Sequence, residues 1–433
     1  NGAVELYQDN SKKFETITTG VKVTGALEVT QEYPSIRPTL DLNFAATKTL
    51  DRRITFTRDG VGTFTDELGI IKYASNNVPR FDHDPTTGES LGLLIEESRT
   101  NLVEYGDFTT GWTEHGGAAT STTETAAPDG TFTAKKITSK GDLSASGIYD
   151  SVNYTANTTY THTMWLKAGT VTIAGLTVHT ASNWASSNYP KITVNLSTGT
   201  VTSTGGVSTK LTPYPNGWYR LEATGTKNSS TGVDAIWVHS QTGSSMVGNT
   251  TDYYYVWGPQ VEQGNFGSSY IPTNGSTVTR GRDIATITGT NFTNFYNQTE
   301  GTAFINALMP NPKGVAGIPA YAFKSSANSN YYYGFSRDNT GSYHYVNTSN
   351  ANTFVYESLL DEYRAVLGIK TNNLNSYIND ANQNVNLSTI TLFDADILHL
   401  GSTTASNVLN GHIKRFTYYP KRLTDNQLQG FTA

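Results

Sequence analysis

Short runs that alternate apolar and polar residues, each closed by a turn residue, restrict the fold of this chain more than any other feature. Arg53-Ile54-Thr55-Phe56-Thr57 ends at Asp59-Gly60, Ile70-Ile71-Lys72-Tyr73 ends near Asn76-Asn77, and Gly20 to Thr30 places apolar residues at 21, 23, 27 and 29. Successive strand side chains point to opposite faces, so such runs make half-buried strands and not helices. Composition agrees: Ser, Thr and Asn supply roughly a third of the residues, with Gly 40 and Tyr 26 and a charged fraction of only 15%. Long amphipathic helices are nearly excluded, and the expected fold class is all-β. An aromatic content of 11% is enough to fill several cores, which argues against disorder. At about 150 residues per domain, 433 residues make roughly three units.

The absence of cysteine removes disulfides, thiolate nucleophiles and Cys metal sites. A net charge of -6 without a Lys/Arg run speaks against a nucleic-acid surface or a polybasic membrane patch. No apolar run approaches the roughly 20 residues of a membrane helix. The chain opens at Asn1 in mid-pattern, so it is expected to be the C-terminal part of something longer.

Residues 1–39 read as an extended oligomeric stem. The alternation from Val21 to Val29 has no evident partner strand nearby, and its apolar face is expected to be buried against copies of itself. Val4-Glu5-Leu6-Tyr7 and Asp9-Asn10-Ser11-Lys12-Lys13-Phe14-Glu15-Thr16, running into Gly20-Val21-Lys22-Val23-Thr24-Gly25, resemble a unit of phage tail fibres. Residues 40–98 read as a small β connector. Their end, Pro79-Arg80-Phe81-Asp82-His83-Asp84-Pro85 through Gly92-Leu93-Leu94-Ile95-Glu96-Glu97-Ser98-Arg99-Thr100-Asn101-Leu102, resembles a connector of phage tail and spike proteins that precedes a carbohydrate-binding-like module. Neighbours on an extended chain point to alternate faces, so Asp82-His83-Asp84 is expected to form a hydrogen-bonded turn and not a metal site.

All six tryptophans lie between 112 and 257, which marks 99–275 as a separate unit with strand candidates at sandwich spacing. Asp107-Phe108-Thr109-Thr110-Gly111-Trp112, Gly217-Trp218-Tyr219-Arg220 and Val256-Trp257-Gly258-Pro259-Gln260-Val261-Glu262 resemble a jelly-roll carbohydrate-binding module. Such modules often hold a structural calcium near a terminal Asp, but Gly258 stands where that acid would be, and no calcium is expected. Trp165, Trp218, Trp237 and Trp257 lie in strands and are expected in the core. Residues 276–433 show a second sandwich pattern. Glu300-Gly301-Thr302-Ala303-Phe304-Ile305, Arg364 to Ile369, Leu398 to Gly401 and Leu409 to Pro420 resemble a concanavalin A-like, or laminin-G-like, domain, and Thr424 with Gln427 supplies a capping box for a short final helix. The whole is an extended stem followed by two antiparallel β-sandwich (jelly-roll) domains.

No nucleophile elbow, phosphate loop or H-E-x-x-H zinc motif occurs, so no enzyme activity, cofactor or metal is expected. Asp394-Ala395-Asp396 and Asp361-Glu362 are the tight acidic pairs, read as solvated loops in preference to a glycosidase pair. Aromatics on the outer face of a sheet can stack on a sugar ring while hydroxyls pair with its hydroxyls. Tyr331 and Tyr333, with Tyr343 and Tyr345 on the next strand candidate, are therefore glycan-binding candidates, as are Trp184 and Tyr189 in a Ser/Asn-rich loop. The alternative reading is core and cross-strand packing. The resemblance implies a homotrimeric phage tail fibre or spike of the virion. It would bind bacterial surface polysaccharide for host attachment and join other virion proteins through a preceding N-terminal part. A glycan depolymerase and a purely structural virion fibre or decoration protein are the competing readings.

Overall fold

The computed structural model describes residues 4–8, 11–17, 20–24, 36–108, 110–115, 119–122, 125–138, 147–179, 190–228, 230–240, 251–310, 318–328, 332–337, 341–348, 351–354, 360–379, 381–382 and 392–432. The chain is all-β, with antiparallel sheets and three short α-helices among the described residues. In the stem, Gly20–Val23 pairs with Ser11–Ile17, which pairs with Glu5–Gln8. The expectation that this alternation lacks a partner strand within its segment is corrected: Gly20–Val23 is the edge strand of one three-stranded sheet and pairs there with Ser11–Ile17. Leu27 and Val29 lie outside the described residues. In register, Leu6, Phe14 and Val23 share one face, and Glu5, Glu15 and Lys22 share the other.

Two six-stranded sheets form the tryptophan-rich sandwich. One runs in the order Ala119–Thr122, Lys135–Thr138, Tyr253–Gln263, Thr159–Ala168, Trp218–Thr226, Ser208–Tyr214. The other runs Thr113–His115, Gly147–Tyr154, Gly232–Ser240, Ile173–His179, Lys191–Asn195, Thr200–Thr204. Their shared core holds Ile148, Met164, Leu166, Leu176, Leu221, Ile236, Val238 and Val256. Met164 and Leu166 flank Trp165, so strand alternation turns that indole to the outside of its sheet. Trp165, Trp218 and Trp257 are buried, as expected, but in a second cluster on this outer face, sealed by Ile71, Ala127, Ala134 and Tyr270. Gly258 has φ +58, and a Cβ there would stand 3.1 Å from the Trp165 ring. A carboxylate at this position would be strained and crowded, a physical reason for glycine.

The segment 40–98, expected as a separate connector, is instead part of the C-terminal sandwich. Leu40–Leu42 and Ser90–Ile95 pair with Gly411–Tyr419, Phe81–His83 pairs with Ser90–Ile95, and Thr55–Thr57 pairs with Ile284–Thr288. Leu40, Phe44, Phe56, Leu93 and Ile95 share one core with Ile287, Ile305, Phe323, Leu398 and Phe416. Strands of three to six residues cannot hide their apolar faces in a hairpin alone, and this sheet supplies the cover. The entry strand Arg99–Asn101 pairs with the exit strand Val278–Arg280, so the tryptophan-rich sandwich is an insertion whose two ends are hydrogen-bonded together. Thr424 and Gln427 form the expected reciprocal cap of Asp425–Thr432.

A buried ion network joins these parts. Arg80 reaches Asp283 at 2.6 Å and Glu96 at 2.7 Å, Arg280 reaches Glu96 at 2.7 Å, and Arg58 reaches Asp283 at 3.3 Å. Ser269 donates to Glu96 from its backbone N and its hydroxyl, each at 2.7 Å. Burial alone would raise the Glu96 carboxyl, but Arg280 and Arg80, with the Ser269 donors, hold it well below the ordinary carboxylate range. Burial also depresses His162 and His399 to about 4 and His344 to about 3. The unfolded chain therefore binds protons that the native state refuses, first at these histidines below their ordinary value of 6.5 and then at Glu96 below 4.5. Stability is fully present above both values and falls with pH. Melting temperatures are expected to be level near neutrality, to decline below pH 6.5 and to drop more steeply below pH 4.5. Glu96→Gln should lose about 3–5 kcal/mol at pH 7 by leaving Arg280 without its carboxylate and Arg80 with Asp283 alone. It should also flatten the steep acid limb, as calorimetry across pH would read.

Candidate functional site

On the outer face of the second six-stranded sheet, cross-strand register lines up Thr113, Tyr149, Trp237, Thr177 and Lys191 from five strands. Trp237 sits between Ile236 and Val238, which both enter the core, so its indole is turned outward and is half-buried. The Tyr149 ring stacks on it with centroids 4.8 Å apart and 18° between planes, and the exposed His115 meets it edge-on at 4.9 Å. The next row of the same face carries Gly147, His239 and Gly175. A Cβ on Gly175 would lie 2.1 Å from the His239 ring, so only glycine lets this imidazole lie flat across the strand. Thr177 Oγ1 meets His239 Nε2 at 2.8 Å and fixes that ring. The result is a half-exposed group of three rings, bordered by the hydroxyl of Thr113 and the ammonium of the exposed Lys191. Apolar ring surface with hydroxyl and ammonium groups beside it matches the two characters of a sugar, its C–H face and its hydroxyls. The row itself, Thr113, Tyr149, Trp237, Thr177 and Lys191, contains no carboxylate.

The residues singled out from sequence fare differently. Trp184, Tyr189 and Tyr331 lie outside the described residues. Tyr343 and Tyr345 take backbone positions opposite Ser336 and Gly334. Tyr333, expected to face outward, is a core residue: it is 2% exposed and stacks on Phe393 at 4.2 Å, and its hydroxyl accepts the Phe393 N–H at 2.8 Å. Burial raises its phenol above the ordinary value. Its strand turns Tyr333 and Phe335 to the core that Phe393 and Tyr363 complete, which leaves Tyr333 no surface to offer a ligand.

The acidic pairs stay apart from any cleft of this face. Asp396 accepts two hydrogen bonds from Ser326, Asp394 is exposed, and Glu362 pairs with Lys414 at 3.1 Å. Asp84 accepts the N–H groups of Thr86 and Thr87, each at 2.8 Å, closing a turn, while Asp82 pairs with His412 at 2.8 Å. Among the described residues no group of three His, Asp or Glu gathers in a metal-binding arrangement. Trp237 is the residue that sequence reasoning misplaced in the core. The signal was available: Ile236 and Val238 claim the inner face, and alternation sends the residue between them outward.

No protein-family model matches the chain, and no curated protein matches it. Among solved structures, the CBM40 of Ruminococcus gnavus IT-sialidase bound to α2,3-sialyllactose is 13% identical with a TM-score of 0.28, over 32% of this chain and 84% of that one. Trypanosoma rangeli sialidase in complex with the inhibitor DANA is 10% identical with a TM-score of 0.28, over 73% of this chain and 62% of that one. Mouse laminin α1 chain domains LG4-5 are 7% identical with a TM-score of 0.21, over 65% of this chain and 90% of that one. Likenesses this remote carry no functional information about the chain.

Packing separates the two aromatics in stability. Tyr333→Ala should cost about 3–5 kcal/mol, whereas Trp237→Ala should cost roughly 1 kcal/mol, since a half-exposed ring gives up less contact. Thermal or denaturant unfolding of the two variants reads the difference directly.

Proposed function

We propose that the chain binds glycan of a bacterial surface through the Trp237, Tyr149 and His115 group, as the receptor-binding part of a phage tail fibre or spike. The observation that carries the binding half is the half-exposed stack of Tyr149 on Trp237 within a row of hydroxyl and ammonium groups. The attachment half rests on the sequence resemblance of the stem and connector and on one property of the stem sheet. Its Glu5, Glu15, Lys12 and Lys22 side chains form ion pairs, while Val4, Leu6 and Val23 are 57%, 57% and 37% exposed. Three short strands with one uncovered apolar face are marginal alone, and three copies around an axis bury that face together. A homotrimer also multiplies weak sugar contacts, and linked sites gain roughly 10²–10⁴ in avidity over one site.

Trp237→Ala is expected to abolish adsorption of the full chain to host cells while retaining its melting temperature within a few degrees. Unchanged adsorption would move the site elsewhere, including to the unassigned candidates Trp184 and Tyr189. Release of reducing ends from host polysaccharide would convert the reading to a depolymerase. Light scattering should give three chains per particle, and Leu6→Asp should return monomers without unfolding the two sandwiches.

A further inference from the structure

A second site lies where the two sandwiches meet. A cavity of about 200 Å³ opens between the hairpin strands around Phe64, the outer sheet of the inserted sandwich and the start of the strand that carries His412. Its wall holds Phe64, Trp165, Tyr214 and Phe266, and two charged residues of the inserted sandwich, Arg220 and Lys210, line it. The acids nearby are already matched. Asp82 pairs with His412 and accepts the Thr65 N–H at 2.7 Å, and Glu96 is held between Arg80 and Arg280. Arg220 is not matched: among the described residues it has no carboxylate within ion-pair distance. Its guanidinium lies 5.1 Å from the centre of the Trp165 ring, and Nη2 donates to the Ser268 carbonyl at 2.5 Å. Its Nε is buried without a hydrogen-bond partner. Glu222, two residues along the same strand, faces the same side but forms no ion pair with it. Exposed Lys210 stands at the mouth and adds a second cation.

We propose that this cavity binds the carboxylate of one acidic sugar residue, with Arg220 as its anchor. A guanidinium fixed at one end by a carbonyl and supported from below by an indole is preorganised, and a carboxylate supplies an acceptor for the Nη N–H groups that Ser268 leaves over. Cavities for drug-sized ligands span about 300–1,000 Å³, so one monosaccharide unit fits this one and a chain segment does not. Phe64 and Tyr214, both half-buried, give the sugar ring an apolar wall. The site is independent of the Trp237 face, which lies on the other sheet of the inserted sandwich.

Titration of the full chain with D-glucuronate, followed by saturation-transfer NMR, tests this, with D-glucose as a control and inorganic phosphate as a competitor of the glucuronate signal. Glucuronate should bind, and glucose and phosphate should each bind at least tenfold more weakly. Arg220→Gln should weaken glucuronate at least tenfold, and Lys210→Ala should weaken it several-fold. Glucuronate binding equal to glucose, or wild-type affinity in Arg220→Gln, overturns the proposal. Phosphate as tight as glucuronate overturns its sugar part. Should Arg220→Gln fail to fold, Lys210→Ala decides: it lies on the surface, and unchanged affinity in that variant rejects the site.

Discussion

Arg80 is the point on which the arrangement of the two sandwiches depends. Its fully buried guanidinium binds Asp283, just before the strand Ile284–Thr288 that follows the insertion, and Glu96, just after the strand Ser90–Ile95 that precedes it. Ser269, at the end of the inserted sandwich, closes the group by donating to Glu96. Taking these charges from water costs several kcal/mol per ion, and mutual pairing offsets that only when the geometry is complete. The ion pairs therefore close in one arrangement: segment 40–98, the insertion and the C-terminal strands must all be in place together. Such a group contributes specificity more than stability, because any partial assembly leaves a buried ion without its counterpart.

That constraint explains how surfaces far apart in sequence come into fixed relation. The hairpin Gly62–Thr65 and Ile71–Ala74 belongs to the segment that completes the C-terminal sandwich, yet it covers the tryptophans of the inserted one. Ile71 N–H donates to the Pro128 carbonyl at 3.0 Å, the Tyr73 hydroxyl to Asp129 at 2.9 Å, and Thr63 Oγ1 to the Tyr270 carbonyl at 2.7 Å. With one sheet of the insertion sealed in this way, the outer face of its other sheet keeps a half-exposed pair of aromatic side chains. Trp237 and Tyr149 lie there, and the cavity beside Arg220 is what the seal leaves open along its edge.

Much of this was legible in the sequence, and the exceptions have physical causes. Alternation with frequent turns dictates an all-β chain, and the tryptophans between 112 and 257 mark the inserted sandwich because large apolar side chains must be buried near their own strands. The partnership of Leu40–Leu42 with Phe416 to Tyr418 was not legible, since nothing local ties a strand to another some 375 residues later. The outward turn of Trp237 was legible from Ile236 and Val238. The inward turn of Tyr333 was not: Tyr331, Tyr332, Tyr333 and Phe335 offer aromatic rings to both faces, so alternation cannot choose between them. Only Phe393 and Tyr363, far along the chain, decide which face is covered.

The central claim is that residues 40–98 are an integral part of the C-terminal sandwich and that buried charge locks the insertion to it. Calorimetry of the isolated chain 276–433 tests this most directly. Without 40–98 it lacks the strands beside Gly411–Tyr419 and Ile284–Thr288 and leaves Asp283 without Arg58 and Arg80, so it should show no cooperative unfolding transition. A cooperative transition at a melting temperature close to that of the full chain would contradict the account.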